Sequence, residues 1–224
     1  MTQAYFIAGT DTEIGKTFVS CALLHRARDD GLRAVGIKPV AAGTDANGRN
    51  EDVEALRAAS SGTPERQQIN PYLFAPAVAP HIAAAENGVR IDFGTIETAY
   101  RNVASRNDVV VVEGVGGFCV PLGPDRDTAD LAVMLGLPVI LVVGMRLGCI
   151  NHALLTVEAI RHRQLKLAGW VANRIDPQML RFEENLTALE YRIDAPLLGV
   201  IPYLAERNAA VAAVHLHLPS GQPG

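Results

Sequence analysis

Cysteine is scarce in this chain. Cys21, Cys119 and Cys149 are odd in number and far apart in 224 residues, which suggests neither a disulfide framework nor the close spacing of a thiolate metal site. They read as small core or site-wall residues. Excess positive charge is also missing: 20 Lys and Arg stand against 24 Asp and Glu, a net charge of -4, so nucleic acid finds no electrostatic footprint. No block of basic residues suggests a membrane surface. Long hydrophobic runs are absent, and the opening MTQAYFIAGTDTE has neither the basic start nor the apolar stretch of a signal peptide. A cytoplasmic protein with small-molecule partners is the expectation. There is no internal repeat and no linker, and only the ending LPSGQPG reads as disordered. One domain over 1–215 with a flexible tail over 216–224 follows.

What the chain has is an alternation. The apolar runs AYFIAG (4–9), AVGIKPV (34–40), DVVVVEG (108–114), PVILVVG (138–144), LAGWVAN (167–173) and APLLGVIP (195–202) are strand candidates, mostly apolar on both faces. Between them, stretches over 17–31, 95–106, 128–136, 150–163 and 177–192 carry apolar residues at helical spacing. This order predicts an α/β fold, a mainly parallel sheet with helices on both faces and right-handed crossovers. Ligands on such sheets sit at the carboxyl ends of the strands.

The nine residues GTDTEIGKT, 9–17, follow the first strand and precede a helix beginning near Gly15. That is the setting of a phosphate-binding loop and points to a P-loop NTPase-like fold. The usual pattern has a glycine where this chain has Thr10, so the loop is read as one residue longer, with Gly9 supplying the turn and Thr12 and Glu13 near the terminal phosphate. A helix N-terminus gathers unpaired N–H groups and attracts a triphosphate. Gly15 admits the backbone approach, Lys16 reaches the β and γ phosphates, and Thr17 offers a hydroxyl to magnesium. Glu113, closing the valine strand, is the expected carboxylate partner of the metal. Asp52 is a second candidate, although from its place in GRNEDVEALR it reads first as part of a helix cap. Lys38, at the carboxyl end of its strand, either snorkels to solvent or faces the γ phosphate.

Together GTDTEIGKT, KPV at 38–40, NPY at 70–72, PH at 80–81, VEGVGG at 112–117, PVILVVGMRLGCINHALLT at 138–156, LAGWVAN at 167–173 and PLLGVIPYLAE at 196–206 resemble the dethiobiotin synthetases. The resemblance runs from about residue 4 to 206. It implies ATP- and Mg2+-dependent closure of a ureido ring from 7,8-diaminononanoate and CO2, by way of a carbamate and a carbamic-phosphoric anhydride. It implies Lys38, Lys16 and Thr12 in catalysis and Thr17, Asp52 and Glu113 around the metal. ATP would meet Glu13, Ile14, Gly15, Lys16, Thr17, Phe18, Asp52, Glu113, Gly114, Val115 and Gly116. Its base would meet Asn173, Arg174, Pro202, Tyr203 and Leu204. The diamine would meet Thr12, Lys38 and Ala42, and Gly148, Cys149, Ile150 and Asn151 across the boundary of a homodimer.

Three positions depart from the family pattern: Ala42 replaces a hydroxyl residue, Arg174 an acidic one, and Tyr203 a frequent tryptophan. Asn151 also reads as a plain helix cap, and His81 and His152 as structural residues without metal-ligand spacing. A switch ATPase of the partitioning or septum-placement type shares the expected fold. Those proteins place a lysine where this chain has Asp11 and usually carry an amphipathic or basic surface element absent here. An amidotransferase relative would need a second domain with a nucleophilic cysteine, for which 224 residues leave no room.

Overall fold

The computed structural model describes residues 2–219. Six parallel strands form one sheet in the order β2 (Ala34–Ile37), β5 (Val109–Glu113), β1 (Gln3–Gly9), β6 (Val139–Met145), β7 (Leu167–Arg174) and β8 (Leu197–Ile201). Alternate residues of each strand enter opposite faces, and both faces are apolar. Phe6, Val110, Val112 and Leu141 join one core, while Tyr5, Ile7, Val109, Val111 and Val142 join the other. The valine runs are therefore buried strands between two helical layers, as expected for a covered parallel sheet.

Helices α1 (Lys16–Asp29), α2 (Glu51–Ala59) and α9 (Ala209–Ala212) supply Leu23, Leu24, Leu56 and Ala212 to one face. Helices α5 (Phe93–Ala104), α6 (Thr128–Leu135), α7 (Cys149–His162) and α8 (Phe182–Arg192) supply Ile96, Leu131, Val157 and Leu189 to the other. Among the described residues, no helix is long and apolar enough to cross a membrane.

The structure corrects three details of the sequence reading. The run AVGIKPV is not one strand. β2 stops at Ile37, and a separate pair, β3 (Val40–Ala42) with β4 (Tyr72–Phe74), forms a two-stranded parallel sheet. Proline at 39 has no N–H to continue a ladder, and Lys38 instead donates its N–H to the Ile69 carbonyl at 2.9 Å. The short helices α3 (Arg66–Ile69) and α4 (Pro80–Glu86) accompany this insertion. The stretch 177–192 becomes helical only from Phe182, after Arg181 takes a left-handed φ of 55°. Finally, the expected tail begins too early: Leu216 is buried, bridges Gly199, and His217 donates its N–H to the Leu198 carbonyl at 2.9 Å. The rest of that expectation, 220–224, lies outside the described residues.

From β1 the chain runs out to β2, returns through β5, and continues on the far side of β1 with β6, β7 and β8. That reversal opens a crevice at the carboxyl ends of adjacent strands.

Candidate active site

The loop 9–17 crosses the carboxyl end of β1 and turns into α1. Two left-handed residues make the turn, Glu13 at φ 59° and Gly15 at φ 86°. Gly9 does not: it is the last residue of β1, and its missing side chain clears space for Lys16, because a Cβ there would stand 2.8 Å from Lys16 Cδ. The expectation that Gly9 supplies the turn is thus replaced by a packing role. Gly15 is constrained twice, by its φ and by Asn173, whose Nδ2 would lie 2.3 Å from an added Cβ.

Lys16 is buried and its ammonium donates to the Asp11 carbonyl at 2.9 Å. Burial, then the nearby Lys38 ammonium, brings its pKa down to about 8. Lys38, one residue beyond β2, is 3 % exposed and does not snorkel. Its ammonium donates to Glu113 Oε1 at 2.6 Å and to Asp52 Oδ2 at 2.9 Å. Burial opposes its charge, but Glu113 and then Asp52 outweigh burial and hold it above the ordinary lysine range. Asp52 is pushed up by burial and pulled further down by Lys38 and the Thr17 hydroxyl, so it is held below the usual carboxylate value. Thr17 donates its hydroxyl to Glu113 Oε1 at 2.7 Å.

Neighbouring strands explain this convergence. Glu113 ends β5, which lies between β2, leading to Lys38, and β1, leading to the loop. Asp52 arrives from the first turn of α2. The cap of that helix is Asn50, whose side chain accepts the Val53 N–H at 3.1 Å, so Asp52 is free for the site. Glu113 is fully buried, and its Oε2 has no hydrogen-bond partner among the described residues. A hydroxyl, two carboxylates and an unpaired buried oxygen fit a hard divalent cation bound partly through phosphate oxygens and water.

Beside the loop, Gly15, Phe18, Asn173, Arg174, Pro202, Tyr203 and Leu204 line a narrow slot. Asn173 donates to the Ile14 carbonyl at 2.8 Å, tying this slot to the phosphate loop. Arg174 spends its guanidinium on the Pro177 carbonyl and on the Phe182 ring, 4.8 Å away. Ile14 is buried with its side chain against Gly144 and presents only backbone to the site.

Thr12 and Glu13 are exposed at the loop's tip, with Gly114, Val115 and Gly116 following Glu113 alongside. Gly116 faces Thr12, whose Oγ1 would lie 3.6 Å from an added Cβ. Ala42 lies at the end of β3. Gly148 is the left-handed N-cap of α7 at φ 92°, which corrects the reading of Asn151 as a cap. Asn151 sits inside the helix and is exposed, Ile150 is partly buried, and Cys149 is buried in the core.

Two contributors escaped the sequence reading. Asn70 is fully buried and donates Nδ2 to the Lys38 carbonyl at 2.7 Å and to the Tyr72 carbonyl at 3.0 Å, fixing the backbone that aims Lys38. The motif NPY contained it without revealing its partner. Arg146, just past β6, pairs with Asp11 Oδ2 at 2.6 Å and so links the loop before α7 to the phosphate loop. A larger cavity of about 880 Å3 includes Arg33, Val35 and Asn107 at the amino ends of β2 and β5, remote from these groups.

An AAA domain family model matches residues 3–210. ATP-dependent dethiobiotin synthetase BioD of Aromatoleum aromaticum is 64% identical over 220 residues, covering 97% of this chain and 98% of that protein. The protein of the same name from Nitrosospira multiformis is 56% identical over 209 residues, covering 93% and 92%. Among solved structures, a ParA family ATPase of Chlorobium tepidum gives a TM-score of 0.60 at 10% identity, covering 95% of this chain and 90% of that one. The septum site-determining protein MinD of Pyrococcus horikoshii, complexed with Mg-ADP, gives 0.55 at 17%, covering 90% and 82%. Identities this low establish the fold alone.

Proposed function

Because the chain belongs to the ATP-dependent dethiobiotin synthetase family, we propose that it closes a ureido ring on 7,8-diaminononanoate with CO2 and ATP, in the cytoplasm, within biotin biosynthesis. The observation that carries the chemistry is the convergence of Lys38, Asp52, Glu113 and Thr17 beside Lys16 at the phosphate loop.

One amine of the substrate takes CO2 as a carbamate. The carbamate oxygen attacks the γ phosphorus and ADP leaves, giving a mixed anhydride. The second amine then attacks the carbonyl carbon, the C–O bond to phosphate breaks, and phosphate departs as the ring closes. No protein nucleophile is required, so the residues act by positioning and by offsetting charge. Lys16 and Lys38 set two ammonium groups against the charge that develops between carbamate and phosphate. Thr17, Asp52 and Glu113 would hold Mg2+, which supplies charge neutralisation on the phosphate oxygens. Thr12 and Glu13 line the space between carbamate and phosphate. Asn173 retains one amide N–H and its carbonyl oxygen for the adenine edge, while Pro202, Tyr203 and Leu204 pack on the base.

A homodimer with the diamine at the subunit boundary completes the reading, with residues 148–151 reaching the substrate, Cys149 by its backbone alone because its side chain is buried in the core. Leu147, immediately before them, is 93 % exposed, and Leu155 on α7 is 57 % exposed, which leaves an apolar edge for a second copy to cover.

Bicarbonate labelled with 18O tests the chemistry. Transfer through the anhydride leaves one labelled oxygen in the released phosphate. Ring closure with wholly unlabelled phosphate contradicts it.

A further inference from the structure

The ammonium of Lys38 occupies the place between the carboxylates that a metal ion would claim. It lies 2.6 Å from Glu113 Oε1 and 2.9 Å from Asp52 Oδ2, and that same Glu113 oxygen accepts the Thr17 hydroxyl at 2.7 Å. The three side chains read as the magnesium shell are thus already gathered by a cation of the protein's own. Glu113 is fully buried, and a buried carboxylate beside a second one is costly without a positive charge between them. Lys38 answers that need.

A divalent ion in the same shell would relieve it of that role. Magnesium takes its oxygens at about 2.0–2.1 Å and tolerates little departure from octahedral geometry. An ion held by Glu113 and Asp52, with the unpaired Glu113 Oε2 open to it, would place its charge against the ammonium and supply the counter-charge in its stead. The backbone of Lys38 is anchored by Ile69 and Asn70 and stays in place. Only the side chain can turn. Glu113 Oε1 accepts from both Lys38 and Thr17, the neighbour of Lys16 at the start of α1, so the side chain already lies near the phosphate site.

We infer that Lys38 is an exchangeable counter-ion: it holds Asp52 and Glu113 in place, is displaced from them as the metal–nucleotide binds, and is thereby delivered to the γ phosphate and carbamate. The inference rests on the metal shell proposed above. In the alternative, Lys38 remains fixed to the carboxylates throughout and acts only by positioning them.

Titration of Mn2+ into the full chain without nucleotide, read by electron paramagnetic resonance of the free ion, separates these. Lys38→Met is expected to bind Mn2+ at least roughly tenfold more tightly than the parent chain, since a buried positive charge no longer opposes the ion. Lys38→Arg is expected to keep the parent's weak binding, and Asp52→Asn added to Lys38→Met to abolish the gain. Equal affinity of parent and Lys38→Met overturns the exchange while the shell stands, provided Asp52→Asn and Glu113→Gln weaken Mn2+ binding in the presence of ADP. If neither weakens it, the shell and the exchange fall together.

Lys38→Met leaves two carboxylates unpaired and can fail to fold, so the parent chain supplies a second measurement. The 15N-labelled ammonium of Lys38, held by two carboxylates, is expected to shift when Mg2+ is added with ADP, and not with ADP alone. A signal that Mg2+ leaves unmoved overturns the exchange.

Discussion

On the proposed reading, Lys38 is the residue on which most of the chemistry turns. Its charge is sustained by Glu113 and Asp52 against burial, so it is protonated across the working pH range. A contact made mainly in the transition state affects turnover more than ground-state binding. Lys38→Ala is therefore expected to lower kcat by roughly a hundredfold or more, with ATP affinity changed only modestly. Steady-state kinetics beside direct ATP titration check this, and a loss confined to ATP affinity would place Lys38 on the nucleotide instead. Lys16 and Thr17 were legible because a strand stands before their loop, Gly15 beside it and a helix after it, and Glu113 because it closes a valine strand ahead of a glycine. The place of Lys38 at a strand end left snorkelling open, and only its burial against Glu113 decides. Asn70 and Arg146 were not, because their partners lie 32 and 135 residues away. Asp52 was ambiguous for a local reason: Asn50 and Asp52 are both capable caps, and only the structure assigns the cap to Asn50.

Among the elements, α6 and α7 illustrate stability outside the site. Asp127 and Asp130 form a capping box at the start of α6, with each backbone N–H bonded to the other's carboxylate. Arg163, directly after α7, donates to both carboxylates and so clasps the end of one helix to the start of the other. Burial raises the Asp130 pKa, but the Asp127 N–H and Arg163 outweigh it and hold the group below its ordinary value. A depressed carboxylate stabilises the fold above its unfolded value and loses that contribution as pH falls through the folded one. Arg163→Ala is expected to cost about 1 kcal/mol at pH 7, allowing for solvent screening of partly exposed pairs. In denaturant unfolding, the gap between parent and variant should close as pH falls below about 3.8. A gap that persists or widens in acid would place the clasp's value in packing.

The long covered strands were readable from their two-sided apolar runs. The β3–β4 pair was not, because three-residue strands carry no periodicity of their own. The division at Lys38 and Pro39 is set instead by the remote segment around Asn70.

At the scale of the whole molecule, fold and activity rest on different observations. The fold is shared with ParA and MinD proteins at identities of 10% and 17%, which says nothing of chemistry. Identities of 64% and 56% over nearly the full chain establish the dethiobiotin synthetase family, and they argue against a switch ATPase acting through protein partners. Consistently, the loop position where switch ATPases carry a lysine holds Asp11, which is paired with Arg146 of the same chain. The departures at Ala42, Arg174 and Tyr203 leave the Lys38, Asp52 and Glu113 cluster intact. Arg174 is turned to the Pro177 carbonyl and the Phe182 ring.

Phosphate release by the purified chain with ATP, Mg2+ and bicarbonate, measured with and without 7,8-diaminononanoate and joined to mass spectrometry of the product, tests this account most directly. The account predicts release that requires the diamine and a product carrying one added carbonyl. Hydrolysis indifferent to the diamine, or a diamine recovered unchanged, would contradict it.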